Sequence, residues 1–437
     1  MLFTNKITYW NNLNSIQKQN ILLRPKILKQ NHVKKTVKKI ISNVMNLGDK
    51  ALYKYTKKFD NVTLNNFKVS QDKIDKSECL VNQDFKKSIL SSFKNIYKFH
   101  LHQNMKIIDI DIQPGIRCQQ MIIPIESVGL YIPGGLSPLF SSVLMLAIPA
   151  SIAGCKNIIL CSPPPIVNEI LYVAKICGIK NIFEIGGAQA IAALAVGTET
   201  ITKVNKVFGP GNAYVTEAKL QLNQLLSDFS IDMIAGPSEL LIIADCFANS
   251  SFIAADLLSQ AEHGPDSQVI LLTPDEKIAQ KVLLEINKQI FYLSRKDIIL
   301  SALKNSRLIV TSNLLECIEI SNHYAPEHLI IQTKKPRCIL KNIVNAGSIF
   351  LGHWSPESVG DYISGPNHVL PTYGSAVSAS GLSVIDFQKR ISVQELTSYG
   401  LKNVSKAVQC LSLFEKMDAH SNAVTIRVNS LGKNYEK

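Results

Sequence analysis

From residue 121 onward, short apolar runs alternate with glycine- and proline-rich loops and helical stretches. This alternation restricts the fold more than any other feature. MIIPIESVGLYI runs into Pro133-Gly134-Gly135, NIILC is followed by Pro163-Pro164-Pro165, NIFEI by Gly186-Gly187, and KVF by Gly209-Pro210-Gly211. Helical patterns follow several of these loops, at Ala188–Val196 and Ala213–Leu226. Strand–loop–helix units of this length build a parallel sheet, which carries ligands at the carboxyl ends of its strands. A second block opens at 231–245, predicts a helix over Ser251–Glu262 and a strand over Gln268–Leu272, and alternates on through Ile309, Leu329–Ile331 and Ser348–Leu351. The pattern predicts an α/β chain with two Rossmann-like parallel-sheet domains. Residues 5–105 read as mostly helical, 382–415 as helical again, and the closing VTIRV (424–428) as a short strand. No GxGxxG occurs; the nearest match, GPGNAY (209–214), lacks the third glycine, so architecture alone does not establish dinucleotide binding.

Charge raises a rival reading. The 437 residues carry 47 basic and 34 acidic side chains, a net of +13, which invites a nucleic-acid role. Residues 1–106 hold 21 Lys and Arg against 6 Asp and Glu, whereas the rest of the chain holds 26 against 28. Only seven of the basic residues are arginines, the side chain that phosphate and base recognition favours. Lys34, Lys35, Lys38 and Lys39 sit at helical spacing among Val37, Ile40 and Ile41, the pattern of a solvated helix face. We therefore expect no nucleic-acid partner. Nine cysteines, none in a CxxC pair, read as small buried hydrophobes of a reducing cytosol. The N-terminal MLFTNKITYWNN lacks a signal-peptide core, and Val143–Cys155 is too short for a membrane span. A cytoplasmic protein without membrane association is expected.

Four fragments concentrate chemistry-bearing side chains. In LLSQAEHGPDSQ (257–268), Gln260 and His263 share a helix face and could reach one ion; equally, they suit a polar surface position and a helix C-terminal cap. In NHYAPEHLI (322–330), adjacent Glu327 and His328 offer a carboxylate and an imidazole for acid–base work. Neighbours in a strand point opposite ways, so both reach one substrate only where the backbone bends, as Pro326 allows. The irregular SPESVGDYISGPNHVLPT (355–372) offers Asp361 as a hard oxygen ligand and His368 as a hydrogen-bonding group or second ligand. In FEKMDAHSNAVTIR (414–427), Glu415 and His420 lie five apart, and meet one ligand only if a helix ends between them. Gln, His, Asp and His together suit zinc. Residue patterns by themselves lead to an α/β enzyme with a candidate zinc site, and a zinc hydrolase of a small amino-bearing substrate would use the same ligands.

Longer strings carry more. VGLYIPGG (128–135), GGAQAIAALA (186–195), FGPGNAYV (208–215), DMIAGPSE (232–239), LLSQAEHGPDSQ, APEHL (325–329), GDYISGPNHVLPT (360–372) and AHSNAV (419–424) occur in one order. In these strings the chain resembles the histidinol dehydrogenase family, over nearly its full length. The resemblance implies oxidation of L-histidinol through L-histidinal to L-histidine with reduction of two NAD+. It implies one zinc ion per subunit on Gln260, His263, Asp361 and His420, with Glu327 and His328 as the catalytic pair. Ser238, His368 and Glu415 match substrate-contacting positions alongside Gln260, His263, His328, Asp361 and His420; Tyr131, Gln189 and Asn212 match NAD-contacting ones. It further implies a homodimer in which Glu415 and His420 come from the neighbouring subunit, which removes the spacing objection. The expected division is an N-terminal helical segment (1–24), one Rossmann-like domain from 25–130 and 239–378, an NAD-contacting one at 131–238, and a C-terminal segment (379–437) reaching the partner. His353-Trp354 and Ile123 depart from the family pattern without touching a proposed ligand or base.

Overall fold

A parallel sheet is buried on both faces, so it demands apolar strands and a helical layer on either side. The structure, a computed structural model, describes residues 7–25, 30–103, 105–134, 139–233 and 236–431; Gly135 of the first glycine loop lies outside these. Among the described residues, fourteen strands form three sheets. The chain opens with β1 (Thr8–Tyr9), followed by helix Ser15–Ile21 and four longer helices, Gln30–Leu47, Asp49–Phe59, Gln71–Leu80 and Gln83–Leu101. Next come β2 (Ile108–Gln113) and β3 (Ile116–Pro124). Strands β4 (Ser127–Tyr131), β5 (Asn157–Ser162), β6 (Asn181–Glu184), β7 (Lys206–Phe208) and β8 (Ser230–Ile231) make a parallel sheet in the order β6-β5-β4-β7-β8. Then β9 (Glu239–Ala244), β10 (Gln268–Thr273), β11 (Arg307–Val310), β12 (His328–Gln332) and β13 (Ser348–Leu351) join β1 in a second parallel sheet, ordered β1-β11-β10-β9-β12-β13. Finally β14 (Gln388–Leu396) pairs antiparallel with β3, which also pairs with β2.

The predicted α/β architecture with two parallel sheets is what the chain adopts. All six residues of the central strand β9, ELLIIA, are buried. On helix Gln30–Leu47, Val37, Ile40, Ile41 and Val44 are buried while Lys34, Lys35, Lys38 and Lys39 are exposed, so the lysine run is a solvated face.

The helices of residues 30–101 lay their apolar faces over the five-stranded sheet, and helix Gln83–Leu101 also bonds to the 239–378 block, Asn95 Nδ2 donating to the Ile363 carbonyl at 3.0 Å. Val37, Ile40, Leu52 and Tyr55 pack with helix Gly187–Val196 on one face, and Ile74, Ile89 and Ile96 pack with helix Phe140–Ala153 on the other. Two expectations meet a different arrangement. Residues 388–396, expected helical, are strand β14, because the exposed edge of β3 offers nine consecutive register partners. The closing VTIRV lies inside helix Asp418–Leu431, packed against helix Ser398–Phe414, with Gln409 donating to Thr425 Oγ1 at 2.6 Å. Tertiary packing there overrides the β preference of Val, Thr and Ile. Among the described residues no helix is long and apolar enough to cross a membrane.

Only residues 232–238 connect β8 to β9. So short a connector brings the carboxyl edge of the first sheet against the amino edge of the second. The start of the connector is tied to the first sheet: the Asp232 carboxylate, buried, accepts from the Gly209 N–H at 2.7 Å and from Lys219 Nζ at 2.7 Å, and Lys219 also donates to the Gly209 carbonyl at 2.5 Å. Gly209 has φ +117°, and a Cβ there would lie 2.1 Å from the Tyr131 carbonyl oxygen. Gly209→Ala is expected to cost at least about 2 kcal/mol of stability through strain and overpacking, read as a lowered urea midpoint.

Candidate active site

Helix Leu314–Tyr324 ends on Ala325 at φ +51°, and Pro326 then turns the chain into β12. That turn is the bend the adjacent acid and imidazole require. Glu327, buried, accepts from the Glu239 N–H through Oε2 at 2.8 Å, and Oε1 makes no hydrogen bond among the described residues. His328, also buried, sets Nδ1 3.2 Å from the Glu239 carbonyl oxygen. The ring therefore donates from Nδ1 and turns Nε2 toward Asp361, whose Oδ1 lies 3.9 Å away.

Asp361 sits on the short helix Glu357–Tyr362 and gathers three imidazoles. His263 Nε2 lies 3.9 Å from its Oδ2, and His368 Nδ1 lies 2.9 Å from its backbone oxygen. His368 Nε2 reaches Ser142 Oγ at 3.4 Å, and Ser238 Oγ stands 3.5 Å from His263 Nδ1. Gln260, in the last turn of helix Ser250–Ala261, is fully buried. Its neighbours assign its amide: the nitrogen donates to Glu357 Oε2 at 2.9 Å and to Oε1, and the oxygen accepts from the Glu239 N–H at 3.2 Å. His263, Glu357 and Asp361 each bring one ligand atom within 4.8 Å of the others, a set able to hold a metal ion.

This cluster occupies the amino edge of the six-stranded sheet, at the starts of β9 and β12, whereas sequence reasoning placed ligands at carboxyl ends. The other sheet has an open cavity at its carboxyl edge. There Tyr131, Gln189 and Asn212 line a cavity of about 930 Å³ beyond β4 to β7, with Tyr131 Oη accepting from the Gly187 N–H at 2.9 Å. Asn212 caps helix Ala213–Leu225 through Oδ1.

Electrostatics in the cluster are strained by its acids. Burial opposes charge on His328, but Glu327, Glu357 and Asp361 outweigh it and push the ring up to about 10. Burial holds the Glu357 carboxyl well above its ordinary range, and pushes His368 downward.

The structure brings together Ser238, Gln260, His263, Glu327, His328, Asp361 and His368. It leaves Glu415 and His420 apart from the cluster: both are exposed, and no hydrogen bond or ion pair among the described residues ties them to it. The break between the two C-terminal helices spans 415–417, so Glu415 caps the end of Ser398–Phe414 and His420 lies in the first turn of Asp418–Leu431. Sequence reasoning missed Glu357, although its i,i+4 spacing to Asp361 is a readable signal. It also missed Glu239 and Arg24, which no local pattern links. Arg24 Nε donates to Glu239 Oε1 at 2.5 Å, its Nη2 reaches Glu239 Oε2 at 3.0 Å and the Tyr324 carbonyl at 2.6 Å, and the guanidinium stacks 4.0 Å over the Tyr324 ring. Burial still keeps the Glu239 carboxyl above its ordinary range. Arg24→Met would strand that buried charge beneath the catalytic turn and is expected to cost about 3–5 kcal/mol, measured by urea unfolding.

Residues 23–428 match the family model described as histidinol dehydrogenase. The histidinol dehydrogenase of Buchnera aphidicola subsp. Schizaphis graminum is 61% identical over 431 residues, 99% of each chain. That of Escherichia coli is 53% identical over 427 residues, 98% of each chain. The crystal structure of histidinol dehydrogenase from Elizabethkingia anophelis superposes with a TM-score of 0.94 at 46% identity, covering 99% of both chains.

Proposed function

The chain belongs to the histidinol dehydrogenase family, and from that premise we propose how its residues carry out the four-electron oxidation of L-histidinol through L-histidinal to L-histidine with two NAD+. The observation that carries the assignment of roles is the convergence of His328, Asp361 and His263 at one point on the seam between the sheets.

His328 is the base of the first step and acts in its neutral form, which a divalent cation would favour by offsetting the acids that hold the ring protonated. With Nδ1 engaged by the Glu239 carbonyl, Nε2 takes the hydroxyl proton of histidinol as hydride leaves the same carbon for NAD+, which gives the aldehyde. Glu327 serves the second step. Its free Oε1 takes a proton from the water that adds to histidinal, and hydride then leaves the hydrate for a fresh NAD+. Ser238 and His368 hold the substrate, and Tyr131, Gln189 and Asn212 hold the dinucleotide in the cavity of the first sheet.

The nitrogen and oxygen donors fit zinc: His263 and Asp361 stand in the group able to hold a metal ion, and Gln260 with His420 of the partner subunit would complete a set for one ion per subunit. Bound there, the ion would supply a Lewis acid that orients the substrate's amino and imidazole nitrogens. Glu357 steers Gln260 by accepting from its amide nitrogen.

A homodimer completes the site. Supporting this are the exposed apolar residues Ile108, Ile110 and Ile112 on β2 and Leu411, Leu413 and Phe414 on the C-terminal helix, beside exposed Glu415 and His420. All nine cysteines are free, which suits a cytoplasmic enzyme.

Growth of absorbance at 340 nm with histidinol and NAD+ tests the reading; zinc-dependent hydrolysis without nicotinamide reduction would overturn it. Glu327→Gln is expected to spare the alcohol half-reaction and slow oxidation of supplied histidinal by about 10²-fold or more, and equal loss of both would remove Glu327 from the water step. Mixing Glu327→Gln and His420→Asn chains, each deficient in histidine formation, should restore about a quarter of the wild-type rate of histidine formation, because each heterodimer regains one intact shared site. No recovery in verified heterodimers would show that the sites are not shared.

A further inference from the structure

Asp60 stands apart from every role assigned so far. It follows the last turn of helix Asp49–Phe59, where its backbone N–H bonds to the Thr56 carbonyl and its side chain is left over. Carboxylate oxygen Oδ2 is buried and has no hydrogen-bond partner among the described residues. With no countercharge to relieve it, burial pushes the Asp60 carboxyl up to about 6. The residue as a whole is half-buried in a cavity wall, and a carboxylate so placed with one oxygen closed off and unpaired favours a ligand that supplies donors to it.

Asp60 lines the same cavity as Tyr131, Gln189 and Asn212, and it is the one carboxylate among the described lining residues. Parallel-sheet dinucleotide sites usually set an acid at the end of a neighbouring strand, where it accepts from ribose hydroxyls. That place is vacant of acids here: β5 ends in Ser162 and runs into Pro163-Pro164-Pro165. Glu184 at the end of β6 is already engaged, accepting from Lys73 Nζ at 2.7 Å and the Ile166 N–H at 3.2 Å. The helical layer outside the sheet supplies the acid instead.

Position decides which ribose is involved. The catalytic cluster touches this unit through Ser142 on helix Phe140–Ala153, which covers one face of the sheet. Helix Asp49–Phe59 covers the opposite face. A dinucleotide lying over the strand ends with its nicotinamide toward Ser142 sets its adenosine half beside Asp60.

We propose that Asp60 accepts hydrogen bonds from the adenosine ribose hydroxyls of NAD+ and excludes the 2′-phosphorylated dinucleotide NADP+. The inference rests on the reading that Tyr131, Gln189 and Asn212 hold the dinucleotide. Because the Asp60 side chain makes no internal bond through Oδ2, Asp60→Asn and Asp60→Ser should fold as the parent does, with an unchanged or raised melting temperature.

The test uses the full-length enzyme in two readouts. Steady-state kinetics with histidinol give KM and kcat for NAD+ and NADP+, and calorimetric titration without substrate gives the affinities for ADP-ribose and 2′-phospho-ADP-ribose. Both variants are expected to raise KM for NAD+ about tenfold or more with kcat little changed, the loss typical of a hydrogen bond to a charged group. The preference for the unphosphorylated ligand should fall by about tenfold or more in both readouts. An unchanged preference would overturn the proposal, whether or not KM moves. Gln189→Leu separates the two levels of inference. If it weakens ADP-ribose binding while the Asp60 variants keep the parent preference, Asp60 alone is misassigned. If it and the Asp60 variants all leave binding intact, the cavity does not hold the dinucleotide.

Discussion

The seven-residue span between β8 and β9 is the constraint on which the site depends. A strand leaves its sheet at the carboxyl edge, and the next enters the other sheet at the amino edge. With so little chain between them, these edges must adjoin. The cavity beyond β4 to β7 and the cluster at the starts of β9 and β12 are therefore neighbours by topology, before any side chain is considered. The cavity keeps to the carboxyl edge that parallel sheets usually offer to ligands, while the acid–imidazole cluster occupies an amino edge.

Charge shapes the cluster as strongly as topology. Glu327, Glu357 and Asp361 crowd around His328, and Asp256, which burial pushes up to about 7, adds a fourth acid nearby. Such a gathering is self-repulsive, and a divalent cation is the natural compensation. Glu239 connects this region to the rest of the chain. Its backbone N–H and carbonyl hold Glu327 and His328, while its carboxylate holds Arg24 and accepts from the Tyr373 N–H. One residue thus joins the N-terminal segment, the catalytic turn and the loop after His368.

Much of this was legible in the sequence, for identifiable reasons. Strands β4 to β7 and β9 to β13 are apolar runs bounded by glycine and proline, a local signal that buried parallel strands cannot avoid. Asp361, His263 and the Glu327-His328 pair lie in segments whose irregularity already marked them. Glu357 escaped because its neighbours Pro356 and Ser358 look like ordinary loop, and only its burial against Gln260 gives it meaning. Residues 388–396 and 424–428 exchanged helix and strand because β3 and helix Ser398–Phe414, distant in sequence or unknown in advance, decide their conformation. Arg24 and Glu239 are separated by 215 residues, beyond the reach of any spacing argument.

The pairing of β1 with β11 has a consequence for biogenesis. Thr8 and Tyr9 bond alongside Ile309 and Val310, and Asn11 bonds to Ser312 across 301 residues of chain. At a synthesis rate of about 5–20 residues per second, the N-terminal segment waits roughly 15–60 s for its partner strand to leave the ribosome. During that interval the strands of the first sheet can pair, but Val369, Leu382, Val384 and Phe387, which share a core with helix Phe140–Ala153, have not yet been made. The earliest-made residues of the chain are therefore among the last to dock.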